Sequence, residues 1–578
     1  MEKNAFLTEH DLRVGSWQNF ERAVCRLLIC EGYENVRLVG GTGDKGADVV
    51  ATKNGKRFVY QIKHWAKPIG SAVVDETLRA LRFYNAQVPV IVSLSGFDTA
   101  SRGRQRDLMA NRIPLQLLGP ADLERRASLL PAKTLTGEAR KYQEPIIQAI
   151  AGSWNDGKKC GMVVMATGLG KTFTAAESIR RIGSDRAIKT LVLAHTNELV
   201  YQLERAFWPF LKHIQRTAVW NGYERPSLEV MANADIVFAC HKSVAEHLKR
   251  FGEMPDFDIV LIDECHHVGG SMYLDIIERT NAGKAHGPYL LGLTATPWRP
   301  DDVDLEHYFG SPLASVDIVH GLKNGFLADV DYRMHTDNID WENLAKIKGD
   351  RFSPKYINRT LFITEWNDAV IDEIRNVWDE VDRPRAIVFC GTIDHAITMR
   401  DKINSLGFCR AEALYSNTVG YSPLSSAERS RILCDFHDGA AQVLCAVDIL
   451  NEGIDVPDVN IIVFQRVTHS RRIFVQQLGR GLRLSKDKSS VVVLDFVSDI
   501  RRFAAGLDLQ KKILISNSMS GPISARINSK VTFKRVGGED EKSADFLRQW
   551  LEDVAAIEDA SDDASVLRFP PPELIGRR

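Results

Sequence analysis

Long apolar runs and paired cysteines are both missing from this sequence. No stretch approaches the roughly 18 consecutive apolar residues of a membrane-spanning helix. The opening residues, MEKNAFLTEHDLR, mix acidic and basic side chains, so we expect neither a secretory signal nor a transit peptide. The nine cysteines include no Cys-x-x-Cys pair, which predicts reduced thiols, a cytoplasmic location and no zinc site. A membrane partner and a disulfide-stabilised secreted fold are therefore not expected.

An excess of charge of either sign is also missing. Lys and Arg total 74 and Asp and Glu total 75, so a nucleic-acid partner would have to bind a local basic surface. The chain has 44% hydrophobic and 26% charged residues, which is typical of globular protein and excludes a disordered chain, a collagen-like fibre or a coiled-coil rod. Its 578 residues predict three or four domains at about 150 residues each.

Short apolar runs recur between helical patterns and predict an α/β fold. The runs MVVM, LVLA, IVFA, IVLI and LLGLTA form one series, and AIVFC, VLCAV, NIIVFQ and VVVLDF form a second. Strands buried on both faces of a parallel sheet have this continuous hydrophobicity, so each series predicts one parallel α/β domain. An N-terminal block with its own strands and helices precedes them. The predicted divisions are an N-terminal domain (1–126), a linker (127–139), two α/β domains (140–325 and 326–505) and a C-terminal extension with an acidic tail (506–578).

A glycine-rich turn joins one apolar run to a helical pattern in MVVMATGLGKT (162–172). The glycines Gly168 and Gly170 allow backbone N–H groups to approach phosphates. Lys171 can reach the β- and γ-phosphates of a nucleotide, and Thr172 can hold Mg²⁺. Met165 occupies the first glycine position of the usual pattern, so a chance glycine-rich turn is the alternative.

A second candidate site lies at the end of the run IVLIDECHH (259–267). A buried strand that ends in paired carboxylates can place Asp263 on Mg²⁺ through water and Glu264 on an attacking water. Two acidic residues at a solvated strand end are the alternative interpretation of this segment alone.

With these two segments, the region from about 139 to 496 resembles the superfamily 2 helicases of the DEAD/DEAH class, and most of all the motor subunits of type I and type III restriction enzymes. The ordered motif matches are ARKYQ (139–143), ATGLGKT (166–172), LVLAHTNELVYQ (191–202), DECH (263–266), LTATPWR (293–299), AIVFCGTIDHA (386–396), DILNEGIDVP (448–457) and QQLGRGLR (476–483). In that branch the phosphate-binding motif has the form A-x-x-G-x-G-K-T, so Met165 fits it.

The resemblance implies two RecA-like domains with ATP bound between them. Gln143 would contact the adenine, and Arg480 and Arg483 would neutralise charge on the γ-phosphate as arginine fingers. Gly453 and Asp455 would couple the nucleotide state to the nucleic-acid track. Proteins of this kind hold backbone phosphates, which provides little sequence readout.

A strong hairpin signal, Asn54-Gly55, lies between two alternating segments of the N-terminal block. A two-residue turn there predicts that Asp48 lies opposite Gln61, with Lys63 on the same face two residues further. The opposite face would carry an apolar set suited to a core, which comprises Val49, Ala51, Phe58, Tyr60 and Ile62.

The segments GGTGDKGADVVA (40–51) and VYQIKHW (59–65) resemble the Mrr-like branch of the PD-(D/E)XK nucleases. The resemblance covers residues 16–120 and implies that Asp48 and Glu21 ligate Mg²⁺. It further implies that Gln61 supports the site and that Lys63 orients the attacking water or stabilises the phosphorane. A decayed nuclease that is retained for DNA binding is the alternative.

The combined prediction is a DNA helicase or translocase that uses ATP and Mg²⁺ and is coupled to DNA cleavage, in restriction or antiviral defence. One alternative is a nucleic-acid-sensing or remodelling ATPase whose N-terminal domain only binds DNA. Another is an RNA helicase. DNA, as duplex or single strand, is the expected partner, and the sequence does not identify a protein partner.

Overall fold

The structure is a computed structural model. It describes residues 6–40, 45–130, 138–166, 168–184, 186–212, 214–295, 305–316, 321, 324, 326–336, 364–415, 424–447, 459–465, 488, 490–496 and 530–535. Within these ranges, no helix has both the length and the apolarity needed to cross a membrane.

The N-terminal domain is a mixed sheet with helices on both faces. Its elements are α1 (Glu9–Val14), α2 (Trp17–Cys30), β1 (Glu34–Leu38), β2 (Val49–Lys53), β3 (Lys56–Lys63), α3 (Ser71–Phe83), β4 (Val88–Ser93), α4 (Thr99–Ala110), β5 (Gln116–Leu118) and α5 (Pro120–Ser128). The strands follow one another in the order β1-β2-β3-β4-β5. The pairings β1/β2 and β2/β3 are antiparallel, and β3/β4 and β4/β5 are parallel.

The hairpin between β2 and β3 has the register that the sequence predicts. Asn54 and Gly55 both have positive φ, 51° and 69°, as the tight two-residue turn requires. Val49 pairs with Tyr60, so Asp48, just before β2, lies across from Gln61 as expected. Helix α3 begins at Ser71 and covers this face, so Gln61 is fully buried.

The first α/β domain is the parallel sheet that the apolar runs predict. Its elements are α6 (Gln143–Asn155), β6 (Cys160–Met165), α7 (Lys171–Ile182), β7 (Thr190–Ala194), α8 (Asn197–Phe207), β8 (Thr217–Trp220), α9 (Leu228–Ala232), β9 (Ile236–Cys240), α10 (His241–Phe251), β10 (Ile259–Asp263), α11 (Ser271–Thr280), β11 (Tyr289–Thr294), α12 (Glu306–Phe309) and β12 (Ala314–Val316), with 3₁₀ turns at Trp208–Phe210 and Cys265–His267. The seven strands are ordered β12-β6-β11-β10-β7-β9-β8.

A second seven-stranded parallel sheet forms the other α/β domain. Its elements are β13 (Asp329–Thr336), α13 (Thr364–Trp378), β14 (Ala386–Cys390), α14 (Ile393–Leu406), β15 (Ala411–Tyr415), α15 (Ser426–Asp438), β16 (Val443–Val447), β17 (Ile461–Gln465), β18 (Ser490–Asp495) and β19 (Lys530–Arg535). The order is β15-β16-β14-β17-β18-β13-β19. Strand β19 belongs to the predicted C-terminal extension, so this sheet reaches past the predicted boundary at residue 505.

The N-terminal domain contacts the first α/β domain through a buried arginine of α2. The Arg22 Nε atom lies 3.0 Å from Glu204 Oε2, and the Arg22 guanidinium also pairs with Glu224. All three side chains are buried, and the Tyr201 hydroxyl donates to Glu224 at 2.9 Å. Arg26, one turn further along α2, donates to backbone carbonyls of the same neighbouring domain. We call the set of Arg22, Glu204 and Glu224 the Arg22 contact.

A second arginine joins the N-terminal domain to the other α/β domain. Arg57 of β3 lies 2.9 Å from Asp435 and 2.8 Å from Asp438, both on α15. We call these three residues the Arg57 contact. Beside it, Cys434 of α15 completes a small apolar cluster of the N-terminal domain, whose buried members there are Val39, Ala47, Val50, Val59, Ala80 and Tyr84.

Candidate ATPase and nuclease centres

The loop between β6 and α7 has the backbone form of a phosphate-binding loop. Gly168 and Gly170 have φ of 92° and 83°, in the left-handed region that favours glycine. A Cβ at Gly170 would also lie 2.7 Å from Gln143 Nε2, so any larger residue there would displace the Gln143 amide. Lys171 and Thr172 then begin α7, whose free N–H groups and dipole favour an anion.

The carboxylates of the DECH segment lie at the end of the central strand β10, next to the β6–α7 loop. Lys171 Nζ pairs with Glu264 Oε1 at 2.9 Å. Glu264 has φ 51°, a left-handed conformation that is strained for a residue with a side chain and that often occurs at functional sites. The structure therefore brings together three predicted residues, Lys171, Asp263 and Glu264, from two segments of the sequence.

Asp263 has the environment of a group that binds a cation. Burial, and secondly the neighbouring Glu264 carboxylate, raise the pKa of Asp263 to about 6. Within the described part of the chain, its Oδ1 atom is buried and has no hydrogen-bond partner. A buried carboxylate oxygen of this kind fits a metal ion or a metal-bound water.

A histidine that the sequence interpretation missed connects this strand end to the next one. His266 Nδ1 lies 2.9 Å from the hydroxyl of Thr294, at the end of β11, and 3.3 Å from Glu264 Oε2. The contact joins the DECH segment to LTATPWR. Its sequence signal was available, because His266 follows Glu264 by two residues in the DECHH run.

Gln143 lies at the first residue of α6 and is buried against the phosphate-binding loop. Its Nε2 donates to the Leu169 carbonyl at 3.0 Å, and its Oε1 accepts from the Arg140 backbone N–H at 2.9 Å. The neighbouring Tyr142 hydroxyl donates to the same Leu169 carbonyl at 2.9 Å. These bonds fix the loop, and the adenine contact assigned to Gln143 stays a prediction.

Four predicted residues of the second α/β domain lie outside the described residues. They are Gly453, Asp455, Arg480 and Arg483. Their predicted roles in coupling and charge neutralisation stay predictions.

The predicted nuclease residues converge where β2 begins. The Ile62 backbone N–H donates to Asp48 Oδ2 at 2.5 Å, and Asp48 Oδ1 faces Gly40. A Cβ at Gly40 would lie 3.4 Å from Asp48 Oδ1 and 3.6 Å from Glu21 Oε2. Two carboxylate oxygens from α2 and β2 thus border one small space, which fits a divalent cation with oxygen ligands.

The other two predicted nuclease residues differ in their surroundings. Gln61 is fully buried, and its Nε2 donates to Glu76 Oε2 at 2.7 Å. Lys63 is partly exposed at the end of β3, and its ammonium lies 5.8 Å from the ring centroid of Trp65. The described residues contain no group of three or more His, Cys, Asp or Glu side chains arranged for a metal.

Comparison with known proteins gives three matches to family models. Residues 12–125 match the restriction endonuclease family of the Mrr type, residues 136–299 the type III restriction enzyme res subunit, and residues 367–485 the helicase conserved C-terminal domain. The matches occur in the same order as the three domains.

Curated relatives and a solved structure agree with these matches. The chain is 27% identical to the putative mitochondrial ATP-dependent helicase irc3 of Schizosaccharomyces pombe, over 64% of this chain and 59% of the relative. It is also 27% identical to the type I restriction enzyme EcoAI endonuclease subunit of Escherichia coli, over 63% and 47%. The chain therefore spans about half the length of these relatives.

The same fold occurs in the ATP-dependent type ISP restriction-modification enzyme LlaBIII bound to DNA. The TM-score is 0.53 at 16% identity, over 95% of this chain and 42% of the enzyme. In this order, the chain therefore has regions similar to an Mrr-type restriction endonuclease, to the res subunit of type III restriction enzymes and to the helicase conserved C-terminal domain.

Proposed function

We propose that this protein is an ATP-dependent DNA translocase or helicase whose N-terminal domain cleaves DNA in the presence of Mg²⁺, in restriction or defence against foreign DNA. The observation that carries the proposal is the approach of Asp48 and Glu21 to one space beside Gly40. This pair belongs to a domain that is docked on the motor by buried ion pairs.

In the ATPase centre, the Lys171–Glu264 ion pair separates when nucleotide binds. Lys171 then contacts the β- and γ-phosphates, and the amides of Gly168 and Gly170 surround them. Thr172 and Asp263 would hold Mg²⁺, which supplies charge neutralisation at the phosphates. Glu264, released from the lysine, orients the attacking water. From the second motor domain, Arg480 and Arg483 complete the site, and Gly453 and Asp455 couple it to DNA.

In the nuclease centre, Asp48 and Glu21 would hold Mg²⁺, whose chemistry is the polarisation of the scissile phosphate and its water. Lys63, at the exposed end of β3, orients the water or stabilises the phosphorane. Gln61 lies behind these groups and maintains the position of β3.

Plasmid nicking and DNA-stimulated ATP hydrolysis by the purified full chain test both halves. Asp48→Ala should abolish Mg²⁺-dependent nicking and leave ATP hydrolysis, because Asp48 lies outside the motor. Lys171→Ala should lower the rate of ATP hydrolysis by at least about 100-fold, as the loss of a preorganised charge does. Asp75→Ala, at an exposed acidic residue of α3, is the matched control. Nicking that survives in Asp48→Ala would refute the nuclease assignment.

A sensing or remodelling ATPase with a DNA-binding but inactive N-terminal domain is the second candidate. It is favoured by the small number of carboxylates: Gln61, normal for Mrr-like members, replaces the acid of the wider PD-(D/E)XK family and leaves only Asp48 and Glu21. Wild-type protein that binds DNA and hydrolyses ATP, but cleaves with neither Mg²⁺ nor Mn²⁺, would support it. ATP hydrolysis stimulated by RNA and not by DNA would instead identify an RNA helicase.

A further inference from the structure

Gln61 is held at both ends by helix α3. Its Nε2 donates to Glu76 Oε2 at 2.7 Å, and its Oε1 accepts from the Thr77 hydroxyl. Gln61 is fully buried, and Glu76 is partly buried. The amide therefore bonds to two successive residues of the helix that covers its strand.

The direction of these hydrogen bonds is fixed by chemistry. An ionised carboxylate only accepts hydrogen bonds, so the group of Gln61 that faces Glu76 has to be the amide nitrogen. The amide oxygen then faces Thr77, whose hydroxyl can donate. A carboxylate at position 61 could still accept from Thr77 but could donate nothing to Glu76.

Glu76 also touches the chain segment that leads to Asp48. A Cβ at Gly46 would lie 2.5 Å from Glu76 Cγ and 3.0 Å from the Glu76 carbonyl, so the glycine lets this segment lie against the helix. Gly46 has φ 86°, which likewise favours glycine. Glu76 thus contacts Gln61 of β3 and also the backbone of Gly46, two residues before the predicted metal ligand Asp48.

We propose that Glu76 is a positioning residue of the nuclease centre, and that its carboxylate is the reason why position 61 carries an amide instead of an acid. The inference rests on the proposed nuclease function. Glutamate at position 61 would place two carboxylates about 2.7 Å apart, and one of them would have to hold a proton because like charges at that distance disfavour ionisation. The acid becomes tolerable only if the carboxylate of Glu76 is removed at the same time.

The test is an exchange of the two side chains in the full chain. Gln61→Glu alone should lower Mg²⁺-dependent plasmid nicking at pH 8 by at least about tenfold, with recovery as the pH falls towards 6 and the pair gains a proton. The double variant Gln61→Glu with Glu76→Gln restores a donor facing an acceptor. It should therefore regain activity and lose the abnormal pH profile. Glu76→Gln alone should be mild, because the amide oxygen introduced there can still accept from Gln61. Asp75→Asn, one residue away and exposed, is the matched control.

Two outcomes would overturn the proposal: full activity of Gln61→Glu at pH 8, or a double variant no better than Gln61→Glu. The melting temperature gives a second measurement that does not depend on cleavage. The deficit of Gln61→Glu relative to wild type should grow as the pH rises, since the folded state then retains a proton that the unfolded state has lost, and the double variant should remove it. Wild-type protein that cleaves nothing would refute the nuclease function, whereas an unrescued melting temperature would refute the pairing of Glu76 with Gln61.

Discussion

The nuclease domain contacts both motor domains through arginines. The two contacts differ in whether the charged residues would keep other partners if the arginine moved away. At the Arg22 contact, Glu204 and Glu224 are both buried, and Arg22 is their shared cation. Loss of Arg22 from its place between them would leave buried charges without compensation, which is costly.

At the Arg57 contact, each partner has a substitute. Asp435 also pairs with Arg431 of its own helix at 2.8 Å, and Asp438 lies 3.2 Å from His437. Arg57 also donates to the Tyr84 carbonyl of its own domain. From this comparison we expect the N-terminal domain to separate more readily from the second motor domain than from the first. When the motor domains move apart, we expect the nuclease to follow the first.

Arg22→Ala should have the largest effect, because it leaves two buried glutamates unpaired. The expected loss is about 3–5 kcal/mol in the free energy of unfolding, measured by urea denaturation. Arg13→Ala, in an exposed pair with Glu9, is the control and should cost less than about 0.5 kcal/mol. Replacing the whole Arg22 contact by Met and two Gln residues should recover most of the loss. If Arg22→Ala lowered the free energy of unfolding as little as the control does, the Arg22 contact would not hold the two domains together.

Arg57→Ala should be milder, at about 1.5–3 kcal/mol, because Asp435 keeps Arg431. Its more specific effect should be faster amide hydrogen exchange in α15 and in the β2–β3 hairpin, with α2 and α8 unchanged. An equal rise in the exchange rate at the Arg22 and Arg57 contacts would contradict the expectation that the two contacts open independently.

Tyr201→Phe removes one hydrogen bond from the Arg22 contact and leaves its charges paired. The expected cost is about 1 kcal/mol, which urea denaturation can resolve. If Tyr201→Phe lowered the free energy of unfolding nearly as much as Arg22→Ala, the tyrosine hydrogen bond, and not the ion pairs, would stabilise the Arg22 contact.

The smallest effect concerns pH at the Arg57 contact. Burial acts to raise the pKa of Asp438, but hydrogen bonds from His437 and Arg57 outweigh it, and the pKa lies below its ordinary value of 3.8. The stabilisation from the charged form is therefore present above the ordinary pKa and is lost as the pH falls through the lower, folded-state pKa. Melting temperatures of wild type and Asp438→Asn should differ at pH 7 and converge as the pH falls below 3.8. A difference that persists unchanged to the lowest pH would show that the carboxylate charge plays no part.

Signals within short stretches of sequence predicted the hairpin register, the two parallel sheets and the phosphate-binding loop. Asn54-Gly55 determined the hairpin register and so the position of Asp48 relative to Gln61. The apolar runs predicted both parallel sheets, because strands buried on two faces need no polar side chains. The phosphate-binding loop was predictable as well, because its backbone has positive φ at Gly168 and Gly170, which favours glycine.

Contacts between distant segments could not be predicted in this way. Arg57 and Asp435 are 378 residues apart, and nothing in either segment indicates the other. Glu76 lies on an ordinary amphipathic helix, and its relation to Gln61 depends on how α3 packs on the sheet. The burial of Gln61 could not be predicted for the same reason, because the hairpin determines which residues share a face but does not show that α3 covers that face.

The cysteine of α15 that completes the apolar cluster beside Arg57 has a consequence for engineering chimeric enzymes. A gene exchange that ends after α5, at residue 128, transfers every helix and strand of the N-terminal domain but does not transfer Cys434. The transplanted domain would then present Val50, Val59 and their neighbours to a foreign helix or to water. A workable donor unit for domain swapping must therefore include the facing surface of α15, or the recipient helix must first be redesigned to match it.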